Sequence, residues 1–361
     1  MTRLIVAAGG GGDAVAAALL YTALYDDEHQ AVILTYSWDR LLIDPLPGPR
    51  GADAFTGLER ITQSVGAVTA KTRPVSPAGS TLPRLAAELP HTLALLDPYR
   101  GAEGITRQLE ELVSCLAPVS IDLLDVGGDI LARGDEPTLK SPLADALTLA
   151  ACGRLDAPVR LLIAGPGLDG EIPPADLRPL FGSLVHTFTP QDVKTIDSIL
   201  EWHPSEVTAM LAATARGTRG TCEVRDTGLP VPLTDEGPTL HEVDLERALN
   251  HNALARAIMP TSTLDEAEAY SRKICGFSEI DYERDKALRR KHPQPTELDP
   301  ALILSRYDRF AAEARARGAT HTTLRRIAET LPLDGSQLDE LRQLLVSDRP
   351  ERGTAPLWQV A

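Results

Sequence analysis

The chain has 361 residues, with 36 Lys plus Arg against 51 Asp plus Glu, a net charge of −15 and only 4% aromatic residues. That length suits about two domains, or one large domain with an appendage, and 43% hydrophobic with 24% charged residues is a folded, globular composition. The acid excess argues against nucleic-acid and membrane partners, which are polyanionic surfaces that reward clustered Lys and Arg, and the few aromatics argue against a base-stacking platform.

Residues 1 to about 190 alternate short apolar, β-rich runs with helical segments, the pattern of a parallel sheet with crossover helices. Strands are predicted at Leu4–Ala8, Ala31–Tyr36, Val65–Ala70, Thr92–Leu96, Ser120–Leu124, Val159–Ala164 and Leu184–Phe188. Helices are predicted at Asp13–Tyr25, Ile105–Leu116 and Leu143–Cys152. A doubly wound, mostly parallel, Rossmann-like α/β sheet is the economical reading.

After Thr189 the pattern changes to helices with readable starts. Thr189 precedes Pro190, and Ser205 precedes Glu206–Ala215, each a capping side chain before a helix. Thr221–Leu233 reads as a strand or hairpin arm kept near an edge by Pro230 and Pro232. Further helices are predicted at Val243–Ile258, Leu264–Cys275, Ser278–Lys291, Pro300–Arg317, Thr322–Leu331 and Gln337–Val346, with a break at Pro293 and Pro295. The expected organisation is a Rossmann-like ligand-binding domain over 1–235, a helical C-terminal region over 236–350 and a tail over 351–361. Cys115, Cys152, Cys222 and Cys275 are scattered, with no C-x-x-C pair, and read as free thiols of a reducing compartment. The opening apolar run ends after five residues, too short for a secretory segment, and no stretch approaches the ~20 apolar residues of a membrane span. A cytoplasmic location is expected.

Ligands of open α/β sheets bind outside the carboxyl ends of the strands, so the residues just after each strand carry the functional signal. Gly9-Gly10-Gly11-Gly12-Asp13 follows the first strand, and Gly9-x-Gly11-x-x-Ala14 matches a dinucleotide fingerprint in its expected place. Asp13 in the first helical turn competes with an anion for the same field, which favours an amine, a hydroxyl or a metal. Asp97 follows the fourth strand. Asp125, Gly127, Gly128 and Asp129 follow the fifth, with Glu136 close behind, and Asp169 and Glu171 follow the sixth. Tight turns with Asp as a helix cap explain any one of these loops, but four acidic loops on one edge predict a shared cleft.

Asp13, Asp125 and Asp129 are the candidate catalytic residues, with Asp125 and Asp129 the candidate Mg²⁺ ligands. Gly9, Gly10, Gly11, Gly12, Trp38, Arg40, Asp97, Gly127, Gly128, Glu136, Asp169 and Glu171 are the candidate ligand-binding residues. Converging carboxylates either raise each other's pKa or recruit a divalent cation, and both outcomes serve acid/base or Mg²⁺-assisted chemistry. Trp38 and Arg40 open a proline-rich loop that reads equally as a substrate wall and as a surface loop. The charge run Ser278–Lys286 reads as a solvated helix face. The histidines are dispersed, with His186, His203, His241 and His251 expected near sheet edges or helix junctions. No nucleophile elbow and no HExxH motif is present.

The opening AAGGGGD, the loop Trp38-Asp39-Arg40 with Asp44-Pro45-Leu46-Pro47-Gly48-Pro49, and the DVGGD at Asp125–Asp129 together resemble an uncharacterised domain-of-unknown-function family of archaeal and actinobacterial proteins. So do Gly134-Asp135-Glu136, Ser141–Asp145 and Glu279–Arg284. The resemblance covers most of residues 1–290 and implies a Rossmann-like fold without an assigned reaction. The Gly-Gly-Asp loop is also similar to the acidic glycine loop of D-glutamate cyclases, which dehydrate an amino acid to a lactam. The expected function is a cytosolic enzyme acting on a small polar metabolite, of amino-acid or nucleotide type, by carboxylate acid/base or Mg²⁺-assisted chemistry. Two rivals stand beside it: a nucleotide-binding protein whose glycines cradle phosphate, and a non-catalytic ligand sensor whose C-terminal helices serve homo-oligomerisation.

Overall fold

The computed structural model describes residues 2–25, 30–289, 299–331, 333 and 335–360. Pro293 and Pro295, and the last residues of the helix expected to reach Lys291, lie outside the described residues. The core is a nine-stranded, mostly parallel sheet. Its parallel strands are Thr2–Ala7, Gln30–Tyr36, Thr92–Leu96, Ile121–Val126 and Arg160–Ala164. Numbered in chain order, they lie side by side as 3-2-1-4-5. The chain therefore winds outward in two directions from Thr2–Ala7. Its carboxyl end and that of Ile121–Val126 flank the point where the winding reverses.

Period-2 alternation sends neighbouring side chains to opposite faces of a strand. Leu4 and Val6 join one apolar core with the helices Gly101–Leu116 and Pro142–Cys152, whereas Ile5 and Ala7 join a second with Gly11–Leu24 and Glu206–Ala215. Gly11–Leu24 is Ala-rich and apolar nearly all round, the signature of a helix buried on every side.

Antiparallel strands complete both edges. Val65–Ala70 was expected within the parallel set, yet Gly66–Val68 runs antiparallel to Thr92–Leu96 and pairs outward with Glu59–Arg60. On the other edge, Thr239–Val243 pairs antiparallel with Arg160–Ala164 and carries Leu184–Thr187 outside it. The single helix expected over Val243–Ile258 is thus a strand end followed by two helices, Leu245–His251 and Ala253–Ile258. Asp244 caps the first by accepting from the Arg247 amide, and Asn252 interrupts the run and caps the second by accepting from Ala255.

The C-terminal part is not wholly helical. A five-stranded sheet runs Leu229–Leu233, Gly220–Val224, His321–Thr322, Leu357–Gln359, Gly353–Thr354. The residues expected as a tail supply its last two strands, and Trp358 packs in a third core with Tyr307, Phe310, Ile327 and Leu341. Thr322 was expected inside a helix. It pairs instead with Glu223 and Trp358, and the helix Leu324–Thr330 starts only after Thr323, which caps it. Among the described residues, no helix is long and apolar enough to cross a membrane.

Candidate functional site

A cleft of about 950 Å³, its open mouth included, lies over the carboxyl ends of Thr2–Ala7, Ile121–Val126 and Arg160–Ala164. Nine carboxylates line it (Asp13, Asp39, Asp125, Asp129, Asp145, Asp169, Glu171, Glu206 and Glu279) together with Arg40, Arg225 and Arg325.

At its floor, Asp13, Asp125 and Asp145 each offer a carboxylate oxygen, and the three oxygens lie within 4.8 Å of one another. Asp13 enters from the first turn of Gly11–Leu24 and turns back to accept from the Gly9 amide at 2.8 Å. Asp125 is the penultimate residue of its strand. Gly127 and Gly128 adopt φ of 123° and 109°, which an L side chain rarely tolerates, and curl the backbone so that the amides of Gly128 and Ile130 donate to Asp125. Asp145 comes from the fully buried helix Pro142–Cys152, in which it is the one charged residue. Asp125 Oδ2 and Asp145 Oδ1 are buried without a hydrogen-bond partner, as is Asp169 Oδ2.

The electrostatics follow from this crowding. Burial in the cleft pushes Asp13 up to about 7, against the Gly9 amide and Arg40, although the residue keeps some exposed surface. Burial and then the charge of Asp13 push Asp125 up to about 8. Burial raises Asp145 and Asp129 well above the usual carboxylate range, with Asp125 and Asp145 respectively as the next cause. Burial and Glu171 push Asp169 up to about 8. Glu171 is the exception. Burial alone would raise it, but the Arg225 guanidinium, the Ser141 hydroxyl and the amides of Lys140 and Ser141 outweigh that and hold it low.

The arginines are largely committed. Arg225 donates to Glu171 at 2.6 Å from the turn joining Gly220–Val224 to Leu229–Leu233, with φ 60° and its amide on Glu206. Arg325 pairs with Glu206 and Glu329. Arg40 is 44% exposed at the mouth and only loosely paired, 3.8 Å from Glu279.

Of the residues named from sequence, Asp13, Asp125, Asp129, Asp169, Glu171, Trp38, Arg40 and Gly9 to Gly12 line this one cleft. Asp129, expected as a metal ligand, stands beside the three-carboxylate group, with the Ser141 hydroxyl donating to it at 3.4 Å. Gly127 and Gly128 shape the Asp125 loop without lining the cleft. Asp97 and Glu136 lie elsewhere: Asp97 accepts from Ala52 and Tyr99, and Glu136 closes its own turn by accepting from Arg133 and Gly134.

The glycine run is packed mostly against protein. A Cβ at Gly10 would lie 2.6 Å from the Trp38 carbonyl oxygen, at Gly11 2.8 Å from Thr81 Oγ1 and at Gly12 2.4 Å from Ser205 Oγ.

The helix Glu279–Arg289 is a solvated face only on the side of Arg284 and Asp285, which are exposed, and the reading of Ser278–Lys286 fails for its other side. Glu279 and Glu283 are each 4% exposed. Four residues apart, they share the face of Ile280, and Glu283 accepts from Trp38 Nε1 and the Gly48 amide. Sequence reasoning also missed Asp145, Arg225 and Arg325 as site residues. Asp145 had a usable signal, a single acid within PLADALTLAAC. The arginines arrive through tertiary folding and had none.

Residues 4–287 match the model of a family described as a protein of unknown function, DUF1152. The chain belongs to this family. The matched span holds the three floor carboxylates and Arg225, whereas Arg325 of the cleft wall lies beyond it. Neither a curated protein nor a solved structure matches the chain.

Proposed function

We propose that this DUF1152 protein is a cytoplasmic enzyme with a Rossmann-like sheet that holds a divalent cation, Mg²⁺ or Mn²⁺, on Asp13, Asp125 and Asp145 and uses it to act on a small polar metabolite. One observation carries the reading: three carboxylate oxygens lie within 4.8 Å, and Asp125 and Asp145 each keep a buried oxygen with no partner. Buried charges are costly unless paired, and hard oxygen ligands suit Mg²⁺ and Mn²⁺. The 3-2-1-4-5 strand order supports the Rossmann-like assignment, because ligands of such sheets bind where Asp13 and Asp125 stand.

A cation there would polarise a substrate oxygen or lower the pKa of a bound water. Asp169, with its free buried oxygen and raised pKa, would serve as a general acid. The four free cysteines fit a reducing compartment.

A phosphate cradled by the glycine run is less well supported, because side-chain and backbone atoms of Trp38, Thr81 and Ser205 already take the Cβ side of Gly10, Gly11 and Gly12. The test is calorimetric titration of the metal-free protein with Mg²⁺ and with Mn²⁺, repeated on Asp145→Asn. Saturable binding lost in the variant supports the reading. Absence of binding, or equal binding by the variant, overturns it. Turnover of a bound metabolite then separates an enzyme from a sensor.

A further inference from the structure

A second pocket opens beside the acidic cleft, about 500 Å³ with its mouth included, and shares Arg40, Ser141, Glu171, Arg225, Glu279 and Arg325 with it. Its charge is different. In the cleft nine carboxylates stand against three arginines, whereas here five cations, Arg40, Lys140, Arg225, Lys286 and Arg325, stand against Glu171, Asp226, Glu279 and Glu283.

All four of these acids already have donors. Glu171 accepts from Arg225 and the Ser141 hydroxyl, Asp226 pairs with Lys286 at 3.1 Å, Glu283 accepts from Trp38 and the Gly48 amide, and Glu279 accepts from the Leu143 amide at 3.3 Å. Three of the cations are engaged as well: Arg225 on Glu171, Lys286 on Asp226 and Glu329, and Arg325 on Glu206 and Glu329.

Two cations are left over. Arg40 stands 3.8 Å from Glu279, outside hydrogen-bond reach. Lys140 is exposed and has no carboxylate partner among the described residues, its ammonium lying 5.8 Å from the centre of the Phe277 ring. Both are held at the pocket by their backbones: the Arg40 carbonyl accepts from the amides of Ile43 and Asp44, and the Lys140 amide donates to Glu171 at 2.7 Å. Tyr282 adds a hydroxyl with no hydrogen-bond partner among the described residues. The charge of Arg40 also acts on Asp13, so pocket and floor lie within electrostatic reach of each other.

We infer that this basic pocket sets the specificity of the proposed site: Arg40 and Lys140, with the Tyr282 hydroxyl, bind a phosphate or carboxylate group at one end of the metabolite while its other end meets the cation on Asp13, Asp125 and Asp145. A guanidinium supplies a fork of donors to an oxyanion and an ammonium supplies a point charge. The packed glycine run has no part in it. The inference rests on the proposed function for the position of the reacting end, and it assigns the substrate as an anionic metabolite.

The experiment titrates inorganic phosphate, and in parallel acetate, into the Mg²⁺-loaded full chain. One of the two is expected to bind, and which one tells a phosphate group from a carboxylate. Its affinity should fall about fivefold or more in Arg40→Gln and separately in Lys140→Gln, as for a lost charge-assisted hydrogen bond, with folding verified by thermal melting. Lys140→Arg should keep most of the affinity. Arg107→Gln, which removes an exposed charge on the helix Gly101–Leu116, controls for net charge and should bind as the parent does. An anion held by Mg²⁺ alone would lose nothing in these variants. No binding of either anion, parent-like affinity in Arg40→Gln or in Lys140→Gln, or an equal fall in Arg107→Gln overturns the pocket. If Mg²⁺ itself does not bind, the cation reading fails. The same titrations of the metal-free protein then decide the pocket alone: binding that depends on both Arg40 and Lys140 keeps it, and the absence of such binding overturns it.

Discussion

Gly127 and Asp169 are in contact through a space that no other residue type could leave open. A Cβ at Gly127 would lie 2.2 Å from Asp169 Oδ2, and its φ of 123° already disfavours any L side chain. The two loops after Ile121–Val126 and Arg160–Ala164 are thereby closed on each other, with the Gly167 amide donating to the Gly127 carbonyl at 2.6 Å. Gly127→Ala should cost about 2–4 kcal/mol from strain and overpacking. Urea unfolding would measure it, and a change below about 0.5 kcal/mol would contradict this account of the loop.

The floor carboxylates give a pH dependence whose sign can be worked out. Asp13, Asp125 and Asp169 are raised to about 7, 8 and 8, against about 3.9 in an unfolded chain. Between these values the native state holds protons that the unfolded chain has released, so stability falls as pH rises. Their contribution is complete below about pH 4 and lost as pH rises through 7 to 8. Glu171 and Glu223 are lowered and act in the opposite sense, at pH values below about 4.5. The metal-free protein should therefore melt at lower temperature at pH 8.5 than at pH 6. Millimolar Mg²⁺ should remove most of that difference. A melting temperature that climbs across this range would refute the burial of these groups as described.

Asp145→Asn should act in two directions. It removes one of three crowded carboxylates, so the metal-free protein should gain stability at pH 8.5, where the like charges repel most. The same change should weaken Mn²⁺ binding by about 100-fold or more, since a neutral amide replaces a charged ligand. Paired melting curves with and without Mn²⁺ read both effects. A variant less stable than the parent in the metal-free state would show that Asp145 is structural.

Arg225 and Glu171 form a buried pair whose halves are unequal. Glu171 is wholly buried and Arg225 is the guanidinium within reach of it, at 2.6 Å. Arg225→Leu should cost about 3–5 kcal/mol at neutral pH, because it leaves an uncompensated buried carboxylate. Adding Glu171→Gln should recover much of this. A double variant as unstable as the sum of the two single changes would mean the pair is not coupled.

The fold was legible where one rule acted alone. Leu4–Ala8 and Thr92–Leu96 are short apolar runs that read as buried strands, and Thr189 and Ser205 cap helices by local chemistry that a sequence displays. The site was legible as far as strand ends reach, which is why Asp13, Asp125, Asp169 and Glu171 were found together. Asp97 follows a strand of the same sheet, yet it serves the Ala52 and Tyr99 amides, because strand 3 lies away from the reversal point. Glu279 and Glu283 were misread for a different reason: a dense charge run looks solvated until Trp38 and Gly48 are known to lie beneath it. Arg225 and Arg325 reach the cleft beside a second sheet whose pairing joins Thr221 and Thr320, 99 residues apart in the chain, and no local pattern encodes that pairing.

Trp38 has an optical consequence. Of the three tryptophans it alone lines the cleft, with its indole N–H shared between the two oxygens of Glu283 and its ring edge-on to Tyr36. Glu283 is on the same helix as Glu279, which faces Arg40 across the mouth. A ligand that moved Arg40 or Glu279 would change the charge near the indole. Trp38 fluorescence is therefore a label-free readout for testing the proposed cation and metabolite binding.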